Sequence, residues 1–130
     1  GLGDVYKRQV FGTCAGLILL SRDVEGNSET APAPPRLGTM QITTARNAYG
    51  RQLGSFRVES TFAGIEGQIP MTFIRAPYIK EATEAVEVLA KVDDRIVAAR
   101  QGNQLVTAFH PELDADTHVH EYFLNMIRNR

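Results

Sequence analysis

The sequence predicts an α/β domain, a mixed sheet flanked by helices. Three observations carry this. β-prone segments recur between residues 39 and 109, an apolar strand end runs into a leucine-rich helix near residue 15, and an amphipathic helix closes the chain. The 130 residues suffice for one domain. Hydrophobic residues at 43% and charged residues at 22% exclude disorder as the main state. Fourteen Lys and Arg against 15 Asp and Glu leave a net charge of -1, which gives no electrostatic case for nucleic acid as a ligand. The longest strongly apolar run, residues 15–20, is far short of the roughly 20 residues a membrane helix needs, so no membrane contact is expected. The single cysteine, Cys14, excludes an internal disulfide and fits a reducing compartment such as the cytoplasm.

Residues 1–9 have neither the pattern of a secretory signal nor a strand or helix period. They read as an adapter-like, non-native segment, with the domain starting near Val10. Val10-Phe11-Gly12 is expected to end a buried strand, and a helix buried on all sides is expected over residues 15–23. Residues 25–37, with Pro32, Pro34 and Pro35, form a loop. Residues 39–45 and 55–60 are β-prone, with turn chemistry at residues 47–50. Residues 70–75 form a further strand that Pro77 stops, and residues 86–89 a short one. Residues 95–100 and 104–109 flank Gln101-Gly102-Asn103 as a hairpin. In the last helix, Val119, Tyr122, Phe123, Met126 and Ile127 form one core-facing stripe. Asp114, Asp116 and Thr117 offer its N-cap. No internal repeat is visible.

Two stretches can carry chemistry. Gly12-Thr13-Cys14-Ala15-Gly16 places a cysteine between a strand end and a helix start, with glycine two residues away on each side. That is the form of a nucleophile elbow. The helix N-terminus favours thiolate, and the Ala15 N–H faces a developing oxyanion. Against this stands the plain reading of a small buried cysteine. The second stretch is Phe109-His110-Pro111-Glu112. His110 is placed to act as general base and acid, and Glu112 to orient its ring. Alone, it also reads as a histidine closing a strand. Together the stretches give a thiol, a base and a carboxylate at strand ends. His118 and His120, near Asp114, Asp116 and Glu121, suggest a metal site. Residues two apart on a helix point to different faces, so solvated histidines are preferred and no metal is expected.

Gly12-Thr13-Cys14-Ala15-Gly16-Leu17-Ile18-Leu19-Leu20 resembles the nucleophile segment of class I, triad-type glutamine amidotransferases. More narrowly it resembles that of the glutaminase subunits of pyridoxal 5'-phosphate synthase. Arg46-Asn47-Ala48-Tyr49-Gly50-Arg51-Gln52, Phe73-Ile74-Arg75-Ala76-Pro77 and Ala108-Phe109-His110-Pro111-Glu112-Leu113 are similar to three further segments of that family, in the same order. The resemblance covers residues 10–127 and implies a flavodoxin-like sheet. It implies that Cys14 attacks glutamine, that His110 and Glu112 complete the triad, and that Arg46, Ile74 and Arg75 hold the substrate. Ile74 contributes its backbone. It also implies that ammonia passes to a synthase subunit that builds the vitamin B6 cofactor, that this subunit activates the glutaminase, and that hydrolysis needs no cofactor. Arg51 serves either the site or the partner surface.

The chain departs from the family at its start. The Gly-Gly-x-Ser segment that supplies part of the family's oxyanion hole has no counterpart, and Lys7-Arg8-Gln9 stands where apolar strand is expected. Residues 10–130 are therefore expected to be the C-terminal portion of one glutaminase domain lacking its N-terminal strands. Loss of one oxyanion donor costs about 10²–10³ in rate, so weak or no activity is expected. Two other readings stay open: a non-catalytic module that only binds the synthase, and another Cys-His hydrolase, such as a peptidase, on a related fold. The peptidase reading leaves Arg46 and the segment 73–77 without a reason.

Overall fold

A computed structural model describes residues 9–26, 36–46 and 55–128. Strand β1 (Val10–Thr13) pairs in parallel with β9 (Gln104–Thr107), Val10 opposite Gln104 and Thr13 opposite Thr107. β8 (Arg95–Gln101) joins β9 in the expected hairpin, and Gly102 takes the turn with φ +58°. β7 (Glu87–Val92) forms a second hairpin with β8. Its turn residues Asp93 and Asp94 have φ of 51° and 64°, the left-handed pair that a tight two-residue hairpin requires. This strand begins and ends later than the expected 86–89, because the Asp-Asp turn sets its end.

β6 (Tyr78–Ala82), which the sequence did not signal, runs antiparallel to β8 and to β3 (Met40–Ala45). β2 (Ser21–Glu25) completes the sheet in parallel with β3. Among the described residues the order is β1-β9-β8-β6-β3-β2, with β7 also on β8. The mixed α/β sheet therefore matches the expected class. β4 (Ser55–Phe62) and β5 (Ile65–Ile74) form a separate antiparallel ribbon. Its turn is at Ala63-Gly64, with Gly64 at φ +87°. Pro70 sits inside β5 opposite Glu59. A two-stranded ribbon leaves each strand an open edge, so the missing N–H is tolerated there.

Aromatic rings fasten the ribbon to the sheet. Phe56 stacks on Phe73 with centroids 4.7 Å apart, and Phe73 meets Phe109 edge-on at 5.8 Å. Phe62, Phe73 and Phe109 are fully buried, each contributing about 1.5–3 kcal/mol through its removal from water.

The first helix corrects the sequence reading. α1 spans Ala15–Leu20, six residues, and does not reach Asp23. The Ser21 hydroxyl donates to the Leu17 carbonyl at 2.6 Å and shares a 2.7 Å bond with the Thr44 hydroxyl, both buried. That closes the helix end and turns the chain into β2. Nor is α1 buried on all sides: Leu17 and Leu20 are buried, but Leu19 is 41% exposed. A second correction concerns α2 (His118–Arg128). Val119 and Met126 are buried and Tyr122 and Phe123 pack partly, whereas Ile127 is 37% exposed and lies off the stripe. Asp116 accepts the His118 N–H at 2.9 Å, whereas Asp114 is engaged elsewhere. The expected loop over 25–37 and turn over 47–50 lie largely or wholly outside the described residues, as do residues 1–8. Glu25 itself ends β2.

β1 passes into α1 at a close backbone crossing. A Cβ on Gly12 would lie 2.8 Å from the carbonyl carbon and oxygen of Gly16. A Cβ on Gly16 would meet nothing within 4 Å. Gly12→Ala should therefore lower the urea unfolding free energy by about 1–3 kcal/mol. Gly16→Ala, at a helical position, should leave it unchanged or raise it by up to about 1 kcal/mol. Equal effects of the two substitutions would contradict this packing.

Candidate active site

The parallel pairing of β1 and β9 brings the two chemical stretches to one end of the sheet. Cys14 follows β1, and its N–H donates to the Thr107 carbonyl at 2.8 Å. Three residues beyond Thr107 comes His110. The path between is fixed at every step. The Thr107 hydroxyl donates to the Phe109 carbonyl at 2.8 Å, the Ala108 N–H to Val97 at 2.8 Å, and the His110 N–H to Thr72 at 2.8 Å.

Cys14 has φ 48° and ψ -97°, a conformation that side-chain-bearing residues rarely adopt. Such backbone costs about 1–3 kcal/mol and is retained where surroundings enforce it. Among the described residues, four non-glycines have positive φ: Cys14, Arg75, Asp93 and Asp94. The two aspartates are explained by their hairpin turn. The other two are candidate site residues.

His110 caps a short 3₁₀ turn, Pro111–Leu113. Its Nδ1 lies 2.7 Å from Oε2 of Glu112. An ionised carboxylate only accepts, so the shared proton belongs to Nδ1, and in the neutral ring Nε2 has the lone pair. The His110 side chain is 22% exposed and that of Glu112 51%. The ring is thus sheltered while its carboxylate partner faces water.

Burial pushes the Cys14 thiol above its ordinary pKa. The Ala15 N–H pulls the other way, and the negative field of Glu112 adds to the rise. The Ala15 N–H at the helix start favours thiolate, as expected, but burial outweighs it and the net shift is upward. Burial thus works against thiolate, and ionisation of the thiol calls for a base.

Ile74 ends β5 and is 43% exposed; Arg75 follows with its strained φ of 45°. Both lie close along the chain to Thr72, which holds His110. Arg46 follows β3, and its N–H donates to the Glu25 carbonyl at 3.1 Å. In the sheet order β9, β8 and β6 lie between β3 and β1, so the pairing that unites Cys14 with His110 does not bring Arg46 to them. Arg51 lies outside the described residues.

His118 and His120 diverge. His118 Nδ1 lies 2.8 Å from the Asp116 carboxylate, whereas the His120 ring meets Phe11 edge-on at 6.1 Å. The Asp116 bond raises the His118 pKa. Burial opposes the Asp116 charge, but the bonds from His118 outweigh it and its pKa is lowered. Among the described residues no three His, Cys, Asp or Glu side chains group as metal ligands. A cleft of about 370 Å³ between the β4–β5 turn and α2, lined by Glu66, His118, Glu121 and Tyr122, includes none of the candidate catalytic or glutamine-binding residues. Thr72, which sequence reasoning missed, and Asp114, which it read as a helix cap, hold the His110 turn. No motif marked Thr72.

The SNO glutamine amidotransferase family matches residues 4–129. The chain belongs to this family. Among its relatives, a pyridoxal 5'-phosphate synthase subunit PdxT from Methanocorpusculum labreanum is 61% identical over 118 residues, covering 91% of this chain and 59% of that protein. A PdxT from Streptococcus pneumoniae (strain CGSP14) is 54% identical over 121 residues, covering 93% of this chain and 59% of its own length. A crystal structure of a glutamine amidotransferase superposes with a TM-score of 0.82 at 43% identity, over 91% of this chain and 60% of the other. This SNO-family chain thus spans about three-fifths of the length of the relatives it matches.

Because the thiol is held neutral by burial, its alkylation by iodoacetamide should be slow at neutral pH. The rate should climb with a midpoint above that of a free cysteine. Glu112→Gln removes a negative field and should move that midpoint down. A midpoint below the ordinary thiol range would contradict the burial argument.

Proposed function

We propose that this chain is the glutamine-hydrolysing portion of a pyridoxal 5'-phosphate synthase glutaminase. The observation that carries the reading is the strained Cys14 elbow at the end of β1, bonded to the end of β9, the strand that leads into the His110–Glu112 pair.

This geometry supports a thiol mechanism. The His110 Nε2 lone pair takes the Cys14 proton, and the sulfur attacks the side-chain amide carbon of glutamine. The Ala15 N–H, which favours the thiolate, is assigned to donate to the carbonyl oxygen as it becomes an oxyanion. On collapse the C–N bond breaks, and His110 returns the proton to the departing nitrogen, giving ammonia and a thioester. Water, deprotonated by His110, then releases glutamate and restores the thiol. Glu112 holds the ring tautomer throughout and stabilises the imidazolium. Arg46 and Arg75 are assigned to the charged end of the amino acid, where a guanidinium pairs well with the α-carboxylate. Ile74 is assigned a backbone contact. No cofactor takes part.

The named relatives are subunits of pyridoxal 5'-phosphate synthase. Delivery of ammonia to a synthase subunit, and activation by it, are therefore part of the proposal. So is a cytoplasmic location. Among the described residues no helix is long and apolar enough to cross a membrane. Residues 10–130 are assigned to the C-terminal portion of a single glutaminase domain and residues 1–9 to an adapter-like segment; the family match itself begins at residue 4.

Glutamate release from glutamine, with and without a synthase subunit, tests the reading. Release should depend on the thiol, with Cys14→Ala reducing it by at least about 10³-fold, and should rise when the synthase is added. Thiol-dependent cleavage of a peptide with no glutamine turnover would overturn it.

A further inference from the structure

The acid/base pair sits on a single 3₁₀ turn with no regular element on its C-terminal side until His118. Something must fix that turn, since a base misplaced by about 1 Å costs about a hundredfold in rate. One residue grips it at both ends. The Thr72 carbonyl accepts the His110 N–H at 2.8 Å, and the Thr72 hydroxyl donates to Oδ2 of Asp114 at 2.8 Å. The Asp114 N–H closes the turn onto the Pro111 carbonyl at 3.3 Å. Its other carboxylate oxygen accepts from Nε of Arg57 on β4 at 3.1 Å.

The Asp114 side chain is 9% exposed, and that of Arg57 is 55% exposed. An ion pair so open on the arginine side contributes little, so the sheltered Thr72 bond is the stronger restraint. Thr72 is also on the strand that carries Ile74 and leads to Arg75. One strand therefore sets both the base and the candidate glutamine contacts.

We propose that Thr72 and Asp114 act as positioning residues. They latch the His110–Glu112 turn to β5 and so aim the acid/base pair at substrate held by the end of that strand. Neither touches the reacting atoms. The inference deepens the glutaminase reading and rests on it for its kinetic part.

Thr72→Val keeps the β-branched shape of the strand residue and removes only the hydroxyl. It and Asp114→Ala should each lower kcat about ten- to a hundredfold while KM stays within about twofold. Thr72→Ser should restore kcat. The double variant should be no worse than the weaker single one, because both cut the same link.

A second readout needs no glutamine. In ¹⁵N-histidine-labelled chain, with His110 assigned by His110→Gln, the ring shifts of the neutral imidazole report which nitrogen carries the proton. Wild type should show the Nδ1–H form that Glu112 enforces. Thr72→Val and Asp114→Ala should move it towards the Nε2–H form, and Thr72→Ser should not. Unchanged ring shifts in both variants overturn the latch. So does a kcat loss that disappears once corrected for the folded fraction. If the wild-type chain releases no glutamate, the glutaminase reading fails for this chain, and the ring shifts still decide the latch.

Discussion

The site depends on one pairing, the parallel register of β1 with β9. It sets Thr13 opposite Thr107, so both strands end at the same level and residues 14 and 110 leave the sheet together. The Cys14 N–H on the Thr107 carbonyl extends that ladder one step into the elbow. A slip of one residue would turn the side chains over and send the thiol and the imidazole to opposite faces. The pair is also long-range, joining the start of the described chain to its last strand. Chemistry at this site is therefore inseparable from completed folding of the sheet.

Around that pairing the structure stores strain on one side and satisfaction on the other. Cys14 is held at φ 48° by Gly12 pressed on Gly16 and by the Thr107 carbonyl. The His110 side is relaxed, with hydrogen bonds at residues 107, 108, 110, 113 and 114. On the proposed mechanism, a strained nucleophile and a firmly seated base make a division of labour with a physical logic. The thiol must project out of the sheet end, whereas the base need only stay where it is. Burial that raises the thiol pKa fits the proposed scheme, in which the proton moves only when base and substrate are both in place.

Much of this was legible in the residues. Small glycines around Cys14, the Gly102-Asn103 turn and the apolar spacing of the last helix are local signals that packing did not override. The unread parts are tertiary. Ser21 turns helix into strand because its hydroxyl finds the Leu17 carbonyl and Thr44, a partner 23 residues on. Tyr78–Ala82 is a strand because β3 and β8 flank it, not because its own residues demand one. Ile127 has the right spacing but falls beyond the reach of the sheet. Asp114 has the look of a helix cap, yet Thr72 and Arg57 claim it. In each case a distant group decides, and sequence periodicity carries no information about distant groups.

The central claim is that Cys14 and His110 act as one unit on bound glutamine. Labelling with a diazoketone analogue of glutamine tests it most directly, because the reagent requires both recognition and an activated thiol. Mass spectrometry should find one adduct per chain, on Cys14. Excess L-glutamine should suppress it, and His110→Ala should slow it by at least about 10²-fold. Labelling at the wild-type rate in His110→Ala, or labelling that glutamine does not suppress, would contradict the account.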